Sequence, residues 1–384
     1  MKALFVSNDP SIFVSGSATR ARMREYAAAI GTLHILSRAP KGAKEEVEGN
    51  LILHPIHAHK LLTPFTLARR ARALIAREGI EIVSAQDPFE QGWAAARAVR
   101  GTAAKLHIQV HTDFLTPWFV RSGVFRSMRI HMPFLNRFRV RLAKKVLPQA
   151  HGIRAVSKRV ADSIVAAYGA TVPVPVVIPI SVGSIVPQAI PLPPHEFSFA
   201  FMCSGRLEPE KRVEDILMAL GKIAHSYPSV GLVVVGEGSE RKKLEKLTKK
   251  LGLSSRVLFM GEQGKDAWGL MKSANVFVQA SAYEGYGRTL IEAALARVPI
   301  ITTDVGIVGE VLKGYEQVLA TPPGDTANIA AHMHAMIGDH QARLTLAMNA
   351  EKAAKDHIAA FADPATHIAE NLSETLKKGA DRAY

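Results

Sequence analysis

The stretch 274–303, ANVFVQASAYEGYGRTLIEAALARVPIITT, limits the possible folds more than any other part of the chain. Its apolar run Ala274–Ala280 has the length and composition of a buried parallel strand. The chain then enters Glu284, Gly285, Tyr286 and Gly287, and a helix is predicted to start near Arg288 or Thr289. That helix carries Leu290, Ile291, Ala294 and Leu295 inward and stops before Pro299, which opens the strand Pro299–Thr303. Strand, glycine-rich turn, helix and strand form one unit of an α/β sheet. The turn leaves backbone N–H groups unpaired at a helix N-terminus, which suits a phosphate.

Two carboxylates mark this unit. Glu284 lies in the turn and Glu292 about one turn into the helix, so both are expected to face the crevice over the carboxyl ends of the strands, where open sheets bind ligands. A carboxylate beside a phosphate site has no use for the phosphate, but it accepts hydrogen bonds from hydroxyls. A diphosphate flanked by two hydroxyl-rich groups describes a nucleotide sugar. The plainer alternative makes Glu292 a solvated helix residue and Glu284 an N-cap.

At 384 residues the chain favours two domains. No run of about 18 uncharged apolar residues occurs, so no membrane span is expected. MKALFVSNDP reads as a short strand, not a signal peptide. Cys203, the only cysteine, can form no internal disulfide and is expected to be an inert core residue of a protein in a reducing cytoplasm. The net charge of +14 is unevenly placed: residues 1–195 hold 26 Lys+Arg against 11 Asp+Glu, and the remainder is close to neutral. Such asymmetry suggests that the first half meets a polyanion or an anionic surface.

The first half alternates strands and helices. Strands are predicted at Lys2–Ser7, Leu33–Ser37, Leu51–Pro55, Ile80–Gln86, Lys105–His111, Gly152–Val156 and Val174–Pro179. Helices are predicted at Arg20–Ile30, Pro64–Glu78, Gln91–Val99 and Lys158–Tyr168, the last capped by Ser157. Gly16, in the loop Asn8–Thr19, again resembles a phosphate turn. His111 and Asp113 fall just past a strand's carboxyl end, where His111 is placed to contact a sugar hydroxyl or, alternatively, only to cap the strand. His57 and His59 could share a strand face as metal ligands do, but no cysteine or carboxylate lies near them in sequence. Phe114–Leu147 interleaves aromatics, including Phe114, Trp118, Phe119, Phe125, Phe134 and Phe138, and Met128 and Met132, with arginines 121, 126, 129, 137, 139 and 141. Pro133 is expected to divide it into two helical pieces, suited to the interface of an anionic bilayer or to an ordinary packed pair. Pro187, Pro191, Pro193 and Pro194 then make a stiff connector.

In the second half, Phe197–Ser204 runs into Gly205, Arg206, Leu207, Glu208, Pro209, Glu210 and Lys211 and then a helix, Val213–His225. Arg206 and Lys211 therefore stand at a strand's carboxyl end and a helix N-terminus, where cations can clamp a diphosphate. Gly231–Val235, a helix at Glu240–Leu251 and the strand Arg256–Met260 follow, with Gly261 at an edge suited to a base. A helix is expected after the loop Asp304–Glu310, then a short strand Val318–Ala320 and helices at Thr326–Ile337, Gln341–Ala354 and about Thr366–Lys378. No Asp-x-Asp, G-x-x-x-x-G-K-[ST] or G-x-G-x-x-G is present, which removes support for metal-bound diphosphate, ATP-hydrolysing and nicotinamide chemistries.

Three segments, GRLEPEKRVEDILMAL at 205–220, LVVVGEGSERKKLEKLTKKLGLSSRVLFMG at 232–261 and EGYGRTLIEAALARVPIITTDVG at 284–306, resemble the family 4 retaining glycosyltransferases of the GT-B fold. The first half matches more loosely, through the Gly16 loop, His111 and AVSKRVADSI at 155–164. The resemblance implies two Rossmann-like doubly wound parallel-sheet domains facing a central cleft. The acceptor domain would span 1–186, the linker 187–196 and the donor domain 197–361, with a last helix at about 362–384 packing back on the first domain. It implies that Arg206 and Lys211 hold the donor diphosphate, that Glu292 binds ribose and Glu284 a hydroxyl of the transferred sugar, and that the amides of Gly285, Tyr286, Gly287, Arg288 and Thr289 add phosphate contacts. Gly261 would meet the base, His111 the sugar and Gly16 the acceptor or a phosphate. Family members transfer with retention and need no metal or other cofactor.

The expected partners are thus a UDP- or GDP-sugar, a glycan or lipid-linked acceptor of envelope polysaccharide or glycolipid synthesis, and an anionic membrane on the cytoplasmic side, with no nucleic acid. The alternatives are a nucleotide-sugar epimerase or hydrolase on the same scaffold and a non-catalytic membrane binder.

Overall fold

The computed structural model describes residues 1–59, 61–121, 124–125, 130–131, 133–183 and 186–380. It divides into two compact units: Met1–Leu115 with Phe134–Pro179 and Asp363–Tyr384, and Thr116–Pro133 with Ile180–Ala362.

The first unit contains β1 (Lys2–Ser7), α1 (Ala18–Ile30), β2 (Thr32–Arg38), β3 (Glu46–Glu48), β4 (Leu51–Ile56), α2 (Thr63–Glu78), β5 (Ile82–Ala85), α3 (Glu90–Val99) and β6 (Lys105–Val110). The chain then leaves for α4 (Pro117–Arg121), β7 (Val124–Phe125) and β8 (Ile130–His131). It returns with α5 (Pro133–Val146), β9 (Gly152–Ala155), α6 (Lys158–Tyr168) and β10 (Val176–Val177). The sheet order is β10-β9-β6-β5-β1-β2-β4-β3, parallel throughout except for the antiparallel pairing of β3 with β4. Residues of β1, β2 and β5 are buried almost without exception, as strands covered on both faces by crossover helices must be.

The second unit contains β11 (Phe199–Ser204), α7 (Val213–Ile223), β12 (Val230–Val235), α8 (Arg241–Lys250), β13 (Val257–Gly261), α9 (Ala267–Met271), β14 (Val276–Gln279), α10 (Arg288–Leu295), β15 (Ile300–Thr303), β16 (Leu319–Thr321), α11 (Thr326–Gly338) and α12 (His340–Ala360). Its six parallel strands run in the order β13-β12-β11-β14-β15-β16. Counted from β11 this is the 3-2-1-4-5-6 order of dinucleotide-binding sheets, and it places the topological switch point between β11 and β14.

The final helix, α13 (Pro364–Ala380), belongs to the first unit. Its Ile368 and Leu372 are buried in one core with Phe5, Tyr26, Leu33 and Ile35. Cys203 is buried in the second core, and burial pushes its thiol up to about 12, so it stays protonated and unreactive.

Four local expectations are corrected. Pro133 opens α5 and does not separate two helices: upstream lie the five-residue α4 and the β7–β8 pair. Arg126, Met128, Arg129 and Met132 of that stretch lie outside the described residues. No helix follows Glu310: residues 304–318 fold as turns with isolated bridges at Val308–Leu312 and Gly314–Val318. The strand expected at Val174–Pro179 shortens to Val176–Val177, because the prolines on either side have no N–H to give the ladder. His57 and His59 share no strand face, since β4 stops at Ile56 and His57 Nε2 bonds Ala43 O at 2.9 Å. His54, on β4 itself, is buried. It stacks on His34 and meets the Glu45 carboxylate at 2.7 Å, a partner nine residues away in sequence.

Candidate functional site

The site grows out of the carboxyl ends of β11, β12 and β14. After β11 the backbone of 205–207 runs alongside that of 236–238, with Gly205 N donating to Val235 O at 3.0 Å and Leu207 N to Glu237 O at 2.9 Å. This approach requires Gly236: at φ +130 a Cβ there would stand 1.9 Å from Gly205 O. Gly236 N in turn donates to Gly261 O at 2.7 Å, so the ends of three adjacent strands, β11, β12 and β13, are tied together.

Beyond Leu207 a short 3-10 turn, Pro209–Lys211, leads into α7. Arg212 sits at φ +47, a strained conformation for a non-glycine residue. It is held there by bidentate bonds to the buried Asp215 at 2.6 and 2.9 Å and by the face of Trp118, 5.1 Å away. The turn docks on the loop after β14 through Ala282 N and Glu210 O at 2.7 Å. That contact brings Lys211 Nζ against Glu284 Oε1, which also accepts from Ser281 Oγ at 2.8 Å. Thr303 Oγ1 on β15 fixes Ser281 O at 2.6 Å. Arg206 is half exposed and tethered to Glu210 at 3.1 Å.

Ser204, Gly205, Arg206, Lys211, Gln279 and Ser281 line a small concavity at the switch point. Its two cations are each matched by a carboxylate, so it is close to neutral and holds its charges in fixed positions.

The glycine turn follows. Gly287 is the residue before α10, in the left-handed region at φ +91, with a would-be Cβ 3.2 Å from Leu290. Arg288 bonds Glu292 one turn on at 2.8 Å. Burial raises the Glu292 carboxyl above the usual range, against the opposing pull of Arg288. Thr289 Oγ1 donates to Gln279 Oε1 at 2.7 Å. Tyr286 points its ring into the unit, bonding His357 Nε2 at 2.9 Å, and burial pushes its phenol pKa up. Only its backbone is therefore left for a ligand.

The structure thus brings Arg206, Lys211 and Glu284 together, with the Gly285–Thr289 turn and Glu292 on the same unit and Gly261 at the adjoining strand end. His111 and Gly16 belong to the first unit. His111 follows β6, and its Nε2 is out of solvent with no hydrogen-bond partner among the described residues. Burial, then the charges of Arg154 and Arg22, push it down to about 3, so it is a neutral imidazole near pH 7. Gly16, at φ +77, is surrounded by open space, and Ser17 beside it caps α1 by accepting from Arg20 N at 3.1 Å.

Sequence reasoning missed Gln279 and Ser281. Gln279 ends an apolar strand and carries no motif signal, whereas Ser281, one of the small residues before the Glu284 turn, could have been read as a brace for that carboxylate.

Residues 192–353 match the family model described as glycosyl transferases group 1, and residues 19–182 match that of glycosyltransferase family 4. The chain belongs to this glycosyltransferase family. Its fold is GT-B. This glycosyltransferase is 30% identical over 136 residues to the glycogen synthase of Mycobacterium tuberculosis, a match covering 35% of this chain and 33% of that protein. Among solved structures it superposes on sucrose-phosphate synthase from Thermosynechococcus elongatus with a TM-score of 0.77 at 18% identity, over 96% of this chain and 98% of the other. On the HepE protein of Anabaena in complex with UDP the TM-score is 0.71 at 20% identity, over 97% and 100% of the two chains.

Proposed function

We propose that this glycosyltransferase moves a sugar, with retention, from a UDP- or GDP-sugar to a glycan or lipid-linked acceptor of envelope polysaccharide or glycolipid synthesis. The observation that carries the reading is the Lys211–Glu284 pair across the β11–β14 switch point, beside Arg206 and the start of α10. Anionic ligands bind where a helix N-terminus and positive side chains meet at such a point. The UDP held by the HepE protein supports the donor class.

In this reading Arg206 and Lys211 and the amides of Gly285–Thr289 stabilise the negative charge that collects on the diphosphate as its bond to the sugar C1 breaks. The acceptor oxygen bonds to C1 on the same face, and its proton passes to the departing phosphate oxygen. Glu292 accepts from ribose hydroxyls and Glu284 from a sugar hydroxyl, while Lys211 holds Glu284 in place. Gly261 lies at the edge that receives the base. His111, neutral, offers a hydrogen bond to the sugar, and Gly16 leaves room for the acceptor. No metal enters these steps. Incubation with a panel of UDP- and GDP-sugars and mixed glycan acceptors should release nucleoside diphosphate and yield an anomer of the donor's configuration. No turnover and no nucleotide binding across the panel would defeat the proposal.

A second reading, contact with an anionic membrane on the cytoplasmic side, rests on exposed apolar residues among the arginines of the first unit. Leu61, Leu62 and Phe65 at the start of α2 are 60–70% exposed, and Phe134 and Phe138 on α5 more than half. Arg69, Arg70 and Arg72 continue α2, and Arg137 and Arg141 continue α5. Both helices border α3, through the Phe65–Trp93 ring contact and the Arg139–Glu90 pair. Apolar tips backed by arginines suit an interfacial position on anionic lipid.

A further inference from the structure

Gln279 is the last residue of β14 and is only 7% exposed. Val276, Phe277 and Val278 before it and Ala280 after it are apolar and buried, so an amide at this position is out of keeping with its strand. Its Oε1 accepts from Thr289 Oγ1 at 2.7 Å. Its Nε2 is buried and has no hydrogen-bond partner among the described residues. Buried donors are nearly always satisfied, and one left over lowers the stability of the fold that carries it. Leucine would fill similar space without that loss.

The orphan belongs to a residue lining the switch-point concavity, with Arg206, Lys211 and Ser281, and is bonded to the first turn of the eight-residue α10. The cationic donors there are already bonded to carboxylates, Lys211 to Glu284 and Arg206 to Glu210. An anionic oxygen in the concavity would be the natural acceptor for the unused N–H. We propose that Gln279 Nε2 donates to an oxygen of the ligand's diphosphate, making Gln279 a binding residue for the donor and a neutral complement to Arg206 and Lys211. This inference rests on the diphosphate site of the proposed function. It adds a residue whose contribution is directional and does not change with pH.

The consequence is an exchange of stability for affinity at one position. Gln279→Leu removes the orphan, so the ligand-free protein should melt at the same or a higher temperature. Pyrophosphate and UDP, by calorimetry, should bind roughly 10- to 100-fold more weakly, the loss expected of one hydrogen bond to a charged group. Uridine, which has no phosphate, should bind both proteins equally. Gln279→Glu removes the donor and adds a negative charge, so it should weaken pyrophosphate further than the leucine does. Retained affinity in Gln279→Glu would mean that the buried atom at the Nε2 position is an acceptor for a hydroxyl, and would overturn the assignment. So would a lowered melting temperature with unchanged pyrophosphate affinity, the behaviour of a brace for Thr289. Wild type that binds neither pyrophosphate nor UDP overturns it as well. Gln279-dependent pyrophosphate binding without sugar transfer would instead keep this inference and remove only the transferase reading.

Discussion

Lys211 has two duties at the scale of one residue, and they predict separable losses. It neutralises Glu284, which is only 14% exposed, and in the proposed reaction it meets the developing charge of the leaving diphosphate. Lys211→Met should reduce nucleoside diphosphate release by about 10²–10³, the range seen on deleting one preorganised donor. It should also lower the melting temperature, because a mostly buried carboxylate is left with Ser281 alone. Adding Glu284→Gln should recover the stability but not the rate. Glu292 makes a second residue-scale prediction. Burial raises its pKa, so on acidification it takes up its proton earlier than an ordinary glutamate would. A protonated carboxyl is a poorer acceptor for ribose hydroxyls, so UDP affinity should decline on the acid side at unusually high pH. Glu292→Gln should bind more weakly at neutral pH and flatten that limb of the profile. A profile identical in the variant would remove Glu292 from the ribose site.

At the scale of elements, Gly287 decides whether α10 can start where it does. Its φ of +91 and the 3.2 Å approach of Leu290 leave no unstrained place for a Cβ. Gly287→Ala should cost about 1–3 kcal/mol in urea unfolding and weaken UDP binding, since the amides of the first turn would be re-aimed. The membrane reading is tested on α2 and α5. Sedimentation with vesicles rich in phosphatidylglycerol should capture the wild-type protein. The double variants Leu62→Ser with Phe65→Ser and Phe134→Ser with Phe138→Ser should each release it while keeping UDP binding. Capture that survives both variants would show that charge alone is responsible.

The strands and the glycine turn were legible in the sequence because fully buried parallel strands read as apolar runs such as VGLVVV. Arg206, Lys211 and Glu284 stood out because they are charges placed just past those runs, and Glu292 because it lies one turn into the helix that follows. The region after Leu115 was misread because aromatics and arginines spaced three or four apart mimic a helix, whereas the short α4 is held by a contact distant in sequence, Trp118 on Arg212. Gln279, and Arg154 within β9, are single polar residues inside apolar strands, and nothing local distinguishes such a residue from a tolerated substitution.

At the scale of the molecule, the first unit contains a continuous chain of buried hydrogen bonds. Asn371 Oδ1 on α13 pairs with His107 Nε2 at 2.8 Å, and His107 Nδ1 accepts from Ser84 Oγ at 2.9 Å. Ser84 Oγ accepts from Gln109 Nε2 at 3.1 Å, and Gln109 Oε1 from Arg154 at 2.7 Å. Arg154 also donates to the carbonyls of Ile178 and Pro179 at 3.0 and 2.8 Å, the last residues before the chain leaves the unit. Every donor faces an acceptor only if His107 is neutral with its proton on Nε2. Burial pushes its pKa from 6.5 down to about 4. The folded state therefore resists a proton that the unfolded chain accepts near 6.5, so this contribution is complete above that pH and is lost as pH falls toward about 4. Urea unfolding across this window should show a fall on the order of 2–3 kcal/mol. His107→Asn, less stable at pH 7, should lose visibly less on acidification, and an equal loss would assign the titration to other groups.

Because α13 follows the second unit in the chain yet covers Phe5 and Leu33 of the first, synthesis imposes an order on assembly. The amino-terminal sheet leaves the ribosome first but can be completed only after roughly the next two hundred residues have been made. Until then one of its apolar faces waits uncovered, which makes the nascent amino-terminal half a natural client for chaperones and ties its maturation to completion of the second unit.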